Sequence, residues 1–87
     1  MKVENMTSTR GNKVPNQFII TDNGTEYFQS YRSIIVKKSE GKIYLDDYYW
    51  DYSTTTGKYR NEFLGEGIAE TRKKIASGEY VLTNLNN

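Results

Sequence analysis

Residues 16–31 read NQFIITDNGTEYFQSY, two β-prone runs divided by Asn23-Gly24. An Asn-Gly pair tolerates the positive φ angles of a two-residue turn, so the stretch is expected to fold as an antiparallel hairpin. The next stretch, RSIIVKKSEGKIYLD, repeats the plan with a turn at Ser39-Glu40-Gly41. Ile34, Val36, Ile43 and Leu45 are its expected inward residues, and Tyr27, Phe28 and Tyr31 extend the apolar content of the same sheet.

Beyond this sheet the period changes from two to nearly four. In STTTGKYRNEFLG, Ser53 to Thr56 offer N-caps, and Tyr59 and Phe63 stand four apart on one helical face. GIAETRKKIASG places Ile68, Thr71 and Ile75 on a second helical face, with Gly78 as its stop and Glu70 spaced to meet Lys74. EYVLTNL closes the chain as a short strand. The fold class is therefore α+β: a small antiparallel sheet of two hairpins plus a short C-terminal strand, packed against two short helices. Residues 1–14 are polar and aperiodic and end before the only proline, so they read as a flexible N-terminal arm to a single domain over residues 15–87.

Apolar residues are scarce in this chain: 36% are hydrophobic and the mean hydropathy is −0.81. Aromatic residues, at 14%, compensate because each packed ring removes a large area from water. A homodimer would be one way to enlarge so small a core. The chain has no cysteine and no histidine. Disulfides, thiolate nucleophiles, zinc–sulfur sites and every His-based acid–base arrangement are thereby excluded. The expectation is a protein that is not an enzyme and takes no cofactor and no metal.

The net charge of +1 conceals blocks. Residues 1–43 hold seven Lys/Arg against four Asp/Glu, residues 44–57 hold three Asp and no base, and residues 58–76 hold five Lys/Arg against three Glu. No apolar run reaches membrane-spanning length, and the first residues lack a signal peptide's apolar centre, so a cytoplasmic protein with no membrane contact is expected.

Four segments, YFQSYRSIIVKK, GKIYLD, YWDYSTTTGKYRNEFLG and ETRKKIASGEYVLTNLN, resemble a family of small bacteriophage proteins of uncharacterised function. Together they cover residues 27–86 almost continuously, leaving the N-terminal arm outside. The resemblance implies a phage accessory protein acting in the host bacterial cytoplasm and carries no catalytic residues with it.

The stretch YLDDYYWDYS concentrates five rings and three aspartates in Tyr44 to Ser53. Were it one continuous strand, the parity set by Ile43 and Leu45 would bury Asp47 and Asp51 without partners. Asp46-Asp47 should therefore break the register and send Trp50 into the core. Asp47, Tyr48, Tyr49 and Asp51 are left as candidate contacts for a bacterial or phage protein, such as a host or defence factor blocked by occlusion. The alternative partner is nucleic acid, held by Lys58, Arg60, Arg72, Lys73 and Lys74, with Thr71 near base edges in a helix-turn-helix arrangement around helix 68–77. TTTGK lacks the second glycine and the Ser/Thr of a phosphate loop and reads as a helix start. Asp46, Asp47 and Asp51 fit no calcium-loop spacing and read as turn formers.

Overall fold

A computed structural model describes residues 1–87. In chain order the elements are β1 (Lys2–Thr7), β2 (Lys13–Asp22), β3 (Thr25–Ser30), β4 (Ser33–Ser39), β5 (Lys42–Asp46), α1 (Thr54–Leu64), α2 (Ile68–Ser77) and β6 (Tyr80–Thr83). The six strands form one sheet in sequence order. Neighbours are antiparallel except β5 and β6, which are parallel and joined by the two helices. This is an α+β fold. No helix is long and apolar enough to cross a membrane.

Both expected hairpins form through turns with two central residues at positive φ: Asn23 (50°) with Gly24 (83°), and Glu40 (52°) with Gly41 (77°). Such turns match the twist of the strands they join. Ser39 pairs with Lys42 in the ladder, so the second turn is one residue tighter than the sequence suggests.

Two expectations need correction. Residues 1–14 are not a free arm: β1 pairs with β2 from Lys2↔Thr21 to Thr7↔Lys13, and Met6 is buried in the core. Backbone pairing and one buried side chain outweigh the polar composition that suggested a loose segment. The inward set of the second hairpin also shifts. A bulge on β4 lies between the pairs Phe28↔Val36 and Gln29↔Ile34, and the extra residue is Ile35. Ile35 and Val36 are consequently both buried, while Ile34 and Ile43 are only half-buried.

Helix α1 starts where Ser53, in extended conformation, accepts the Thr56 N–H on its Oγ at 3.1 Å. It ends at Gly65, and α2 ends at Gly78, both left-handed. Tyr59 and Phe63 of α1 join Phe28, Val36, Leu45 and Tyr80 of the sheet in the core. Phe63 stacks on Phe28 with centroids 5.8 Å apart, and Lys38 Nζ caps its carbonyl at 3.0 Å. Trp50 packs against this cluster but stays half-buried.

The opposite face of the sheet carries no helix. Along it the register aligns Val3, Ile20, Tyr27, Lys37, Tyr44 and Val81 in one row crossing all six strands. Substituting Phe28 by Ala, on the covered face, should cost about 3–5 kcal/mol. Phe18→Ala on the open face should cost about 1 kcal/mol, being the loss of a half-buried ring. Urea denaturation of both variants checks the assignment of the two faces.

Candidate functional site

The aromatic-acidic stretch is organised by Asp46, the last residue of β5 and 2% exposed. Its Oδ2 accepts the backbone N–H of Tyr48 (3.1 Å) and Tyr49 (2.8 Å), an Asp-centred turn that ends the strand. Its Oδ1 accepts the Leu85 N–H and the Asn86 side-chain amide, each at 2.9 Å. Burial alone would raise the carboxyl pKa. The hydrogen bonds from Leu85, Tyr49, Asn86 and Tyr48 outweigh burial and hold it below its ordinary value. Asn86 also pairs with Ile34 through both amide atoms, donating to its carbonyl (3.0 Å) and accepting its N–H (2.7 Å). The side-chain amide thus takes the place beside β4 that β5 vacates at Asp46.

On this support residues 47–52 form a tyrosine cluster. Tyr48 meets Tyr49 edge-on at 4.7 Å between centroids, and Tyr52 lies 5.3 Å from Tyr49 and 6.2 Å from Tyr48. Tyr48 is 70% exposed and Tyr52 62%. Two adjoining clefts open beside them. One, of about 470 Å³, is lined by Ser30, Tyr31, Arg32, Tyr49, Tyr52 and Thr56 among others. The other, of about 490 Å³, is bordered by Arg32, Asp47, Tyr48, Tyr49, Asn84 and Asn86. Tyr49 and Arg32 line both, and Arg32 has no ion-pair partner. Asn16 and Tyr31, at the rim of the first cleft, have φ of 66° and 57°, and the Tyr31 N–H donates to the Asn16 carbonyl at 2.7 Å.

Of the four residues the sequence singled out for a protein partner, Asp47 and Tyr48 are exposed and Tyr49 forms the wall between the clefts. Asp51 faces elsewhere. Its carboxylate meets Arg60 (3.2 Å) and Arg72 (3.3 Å), linking the turn to both helices. Tyr31, Arg32 and Tyr52 complete the site beyond the residues the sequence singled out: Tyr31 and Arg32 form the β3–β4 turn, which only the folded sheet brings there, and Tyr52 follows Asp51 in the same aromatic stretch.

The cations of the nucleic-acid alternative do not converge on one free surface. Arg60 is buried, donating to the Trp50 carbonyl (2.7 Å), Asp51 and Asn61 Oδ1 (3.0 Å) with its guanidinium 5.4 Å from the Trp50 ring centre. Lys74 bonds Glu66 at 2.7 Å rather than the expected Glu70. Glu66 also accepts the hydroxyls of Thr71 (2.7 Å) and Tyr80 (2.9 Å), so Thr71, fully buried, cannot reach a base edge. Burial opposes ionisation of Glu66, but its bonds from Lys74, Thr71 and Tyr80 lower its pKa. The same contact with Glu66 raises that of Lys74, and burial followed by the Glu66 bond raises that of Tyr80. Only Lys58 and Lys73 remain exposed without a carboxylate partner. No group of three His, Cys, Asp or Glu side chains is arranged to hold a metal ion. TTTGK forms the first five residues of α1, with Thr56 and Gly57 buried.

The family described as of unknown function, DUF8033, matches residues 1–79. The chain belongs to this family. The match takes in β1, which the resemblance over residues 27–86 left outside, and stops before the tail residues that bond Asp46. No curated protein and no solved structure matches the chain.

Asp46 and Glu66 both have lowered native pKa values, so protonation favours the unfolded chain. Their contribution is fully present above about pH 5 and is lost as the pH falls through their ordinary values towards the lowered native ones. Thermal melts from neutral to acid pH should fall in that window, and Asp46→Asn should flatten part of the fall. That variant sets an amide N–H₂ against N–H donors and should cost about 2–4 kcal/mol at neutral pH. Asn86→Ala should cost about 1–2 kcal/mol by urea denaturation, because the Ile34 backbone loses its partner.

Proposed function

We propose that the protein is a non-enzymatic binding module that captures a partner protein on the tyrosine-walled clefts between residues 30–33 and 47–52. The observation that carries this reading is the cluster of Tyr48, Tyr49 and Tyr52, two of them largely exposed, on a turn held by the buried Asp46. Tyrosine supplies broad contact area with few torsions to immobilise, and a pre-set turn lowers the ordering cost of association. Asp47 and Arg32 give the rim one free charge of each sign, suited to a partner segment with apolar anchors flanked by complementary charges. Tyr31 at positive φ is a further sign of constraint at this rim, since such backbone is tolerated where the surroundings over-determine it.

The chain has no His or Cys, and the carboxylates of Asp46 and Glu66 are engaged in hydrogen bonds that hold the fold. A finer version is a phage accessory protein that occludes a host or defence factor in the bacterial cytoplasm. That version rests on the resemblance of residues 27–86.

Immobilised wild-type chain should retain a specific protein from a bacterial lysate. Tyr48→Ala/Tyr52→Ala should weaken its retention by about thirtyfold, the equivalent of about 2 kcal/mol for hot-spot rings. Thermal melting should be nearly unchanged, since both rings are exposed. Equal retention by the variant would remove the clefts from the interface.

A further inference from the structure

The helix-free face of the sheet holds a second arrangement of rings and cations, separate from the tyrosine clefts. In the row that crosses all six strands, Tyr27 on β3 and Tyr44 on β5 flank Lys37 on β4. Strand spacing sets the two tyrosines about 10 Å apart. Lys37 Nζ lies 5.8 Å from the centre of the Tyr44 ring. Phe18 stands one pleat further along the same face, two residues from Ile20.

Within the row the charge is one-sided, Lys37 being its only charged side chain. Lys37 and Lys42 form no ion pair. The carboxylates of matching parity are Asp22, 4.0 Å from the N-terminal ammonium, and Asp46, which is buried and saturated by N–H donors. Outside the row, Glu79 precedes β6 with the parity of Val81 and Glu40 sits in the turn before Lys42, both exposed. Glu4 and Glu26 have the opposite parity and project on the helix side.

The surface is also flat. None of the five clefts of the molecule is lined by Val3, Ile20, Tyr27, Lys37, Tyr44 or Val81. Tyr27, Lys37 and Tyr44 are half-buried against one another. Peptide recognition needs pockets or a groove for side chains, whereas base stacking needs only one open ring face beside a cation. A second copy of the chain packed row on row would bury Lys37 against a row that holds no carboxylate, which is costly.

We propose that this open face binds single-stranded nucleic acid, with bases stacked on Tyr27 and Tyr44 and phosphates met by Lys37 and Lys42. The site is independent of the tyrosine clefts and of the helix 68–77 cations, so its failure would leave the protein-capture reading standing.

The test is fluorescence anisotropy of labelled oligothymidine and oligouridine titrated with the full chain at low salt. Saturable binding is expected, with a slope of log K against log salt near about −1.4 for two neutralised phosphates. Tyr27→Ala and Tyr44→Ala should each weaken binding by about fivefold or more, as loss of one stacked base implies. Lys37→Glu, an exposed-face change that spares the core, should weaken it by about tenfold with melting unchanged. Lys58→Glu and Lys73→Glu, on the helix side, should leave it unaltered. The proposal is overturned by absence of binding at low salt, by binding that survives Lys37→Glu and Tyr44→Ala, or by tighter binding of duplex. Displacement of the oligonucleotide by polyglutamate at equal charge, or sedimentation as a dimer that Lys37→Glu dissolves, would overturn it as well.

Discussion

A carboxylate withdrawn from water must have its lone pairs filled by donors, and Asp46 fills them from two directions in the chain. Tyr48 and Tyr49 supply backbone N–H groups from just downstream, while Leu85 and Asn86 supply theirs from the last residues of the protein. One side chain thus ends β5, shapes the aromatic turn and fastens the tail across the sheet. Asn86 extends the connection to β4 by pairing with the Ile34 backbone. The tyrosine clefts inherit their geometry from this node, since Asp46 directly orders the backbone of two of their residues.

A small apolar core makes such polar connections consequential. Eight buried hydrophobic residues form the core, so the helices are held to the sheet partly by polar groups. Arg60 joins α1 to Trp50 and Asp51, and Arg72 brings α2 to the same aspartate. Ser30 and Thr56 share a hydrogen bond of 2.9 Å between β3 and α1. Glu66 gathers Thr71, Lys74 and Tyr80, binding the helix connection to α2 and β6. Three of the five cations that looked available for phosphate in the sequence are drawn into these networks. On the open face, Lys37 is unpaired and lies between two tyrosines.

Local chemistry made much of this legible. Asn23-Gly24 marked its turn because few residue pairs accept positive φ twice in succession, and Ser39-Glu40-Gly41 marked the second turn one residue too wide. Ser53 to Thr56 marked the start of α1 through the capping needs of its backbone, and the spacing of Tyr59 and Phe63 marked its buried face. Parity along β5 showed that the aromatic stretch could not continue as a strand, and Asp46 does end it. Other features had no local signature. The polar composition of residues 1–14 masked a strand whose stability comes from pairing with β2. The β4 bulge that buries Ile35 beside Val36 depends on the fit to β3. Neither Glu66–Lys74 nor Asp46–Asn86 follows a short-range spacing rule, their separations being 8 and 40 residues.

The sequence by itself determined the types of β2 to β6 and of both helices, the places of both hairpin turns and the absence of His- and Cys-based chemistry, because these depend on backbone preference and residue inventory within a few positions. Tertiary structure alone decided which charges are free, which rings face solvent and which residues meet across the clefts. A side chain's exposure depends on what the rest of the chain brings against it. Asp47 and Asp51, four residues apart and alike in composition, differ for that reason: one stands in solvent, and the other is held between Arg60 and Arg72.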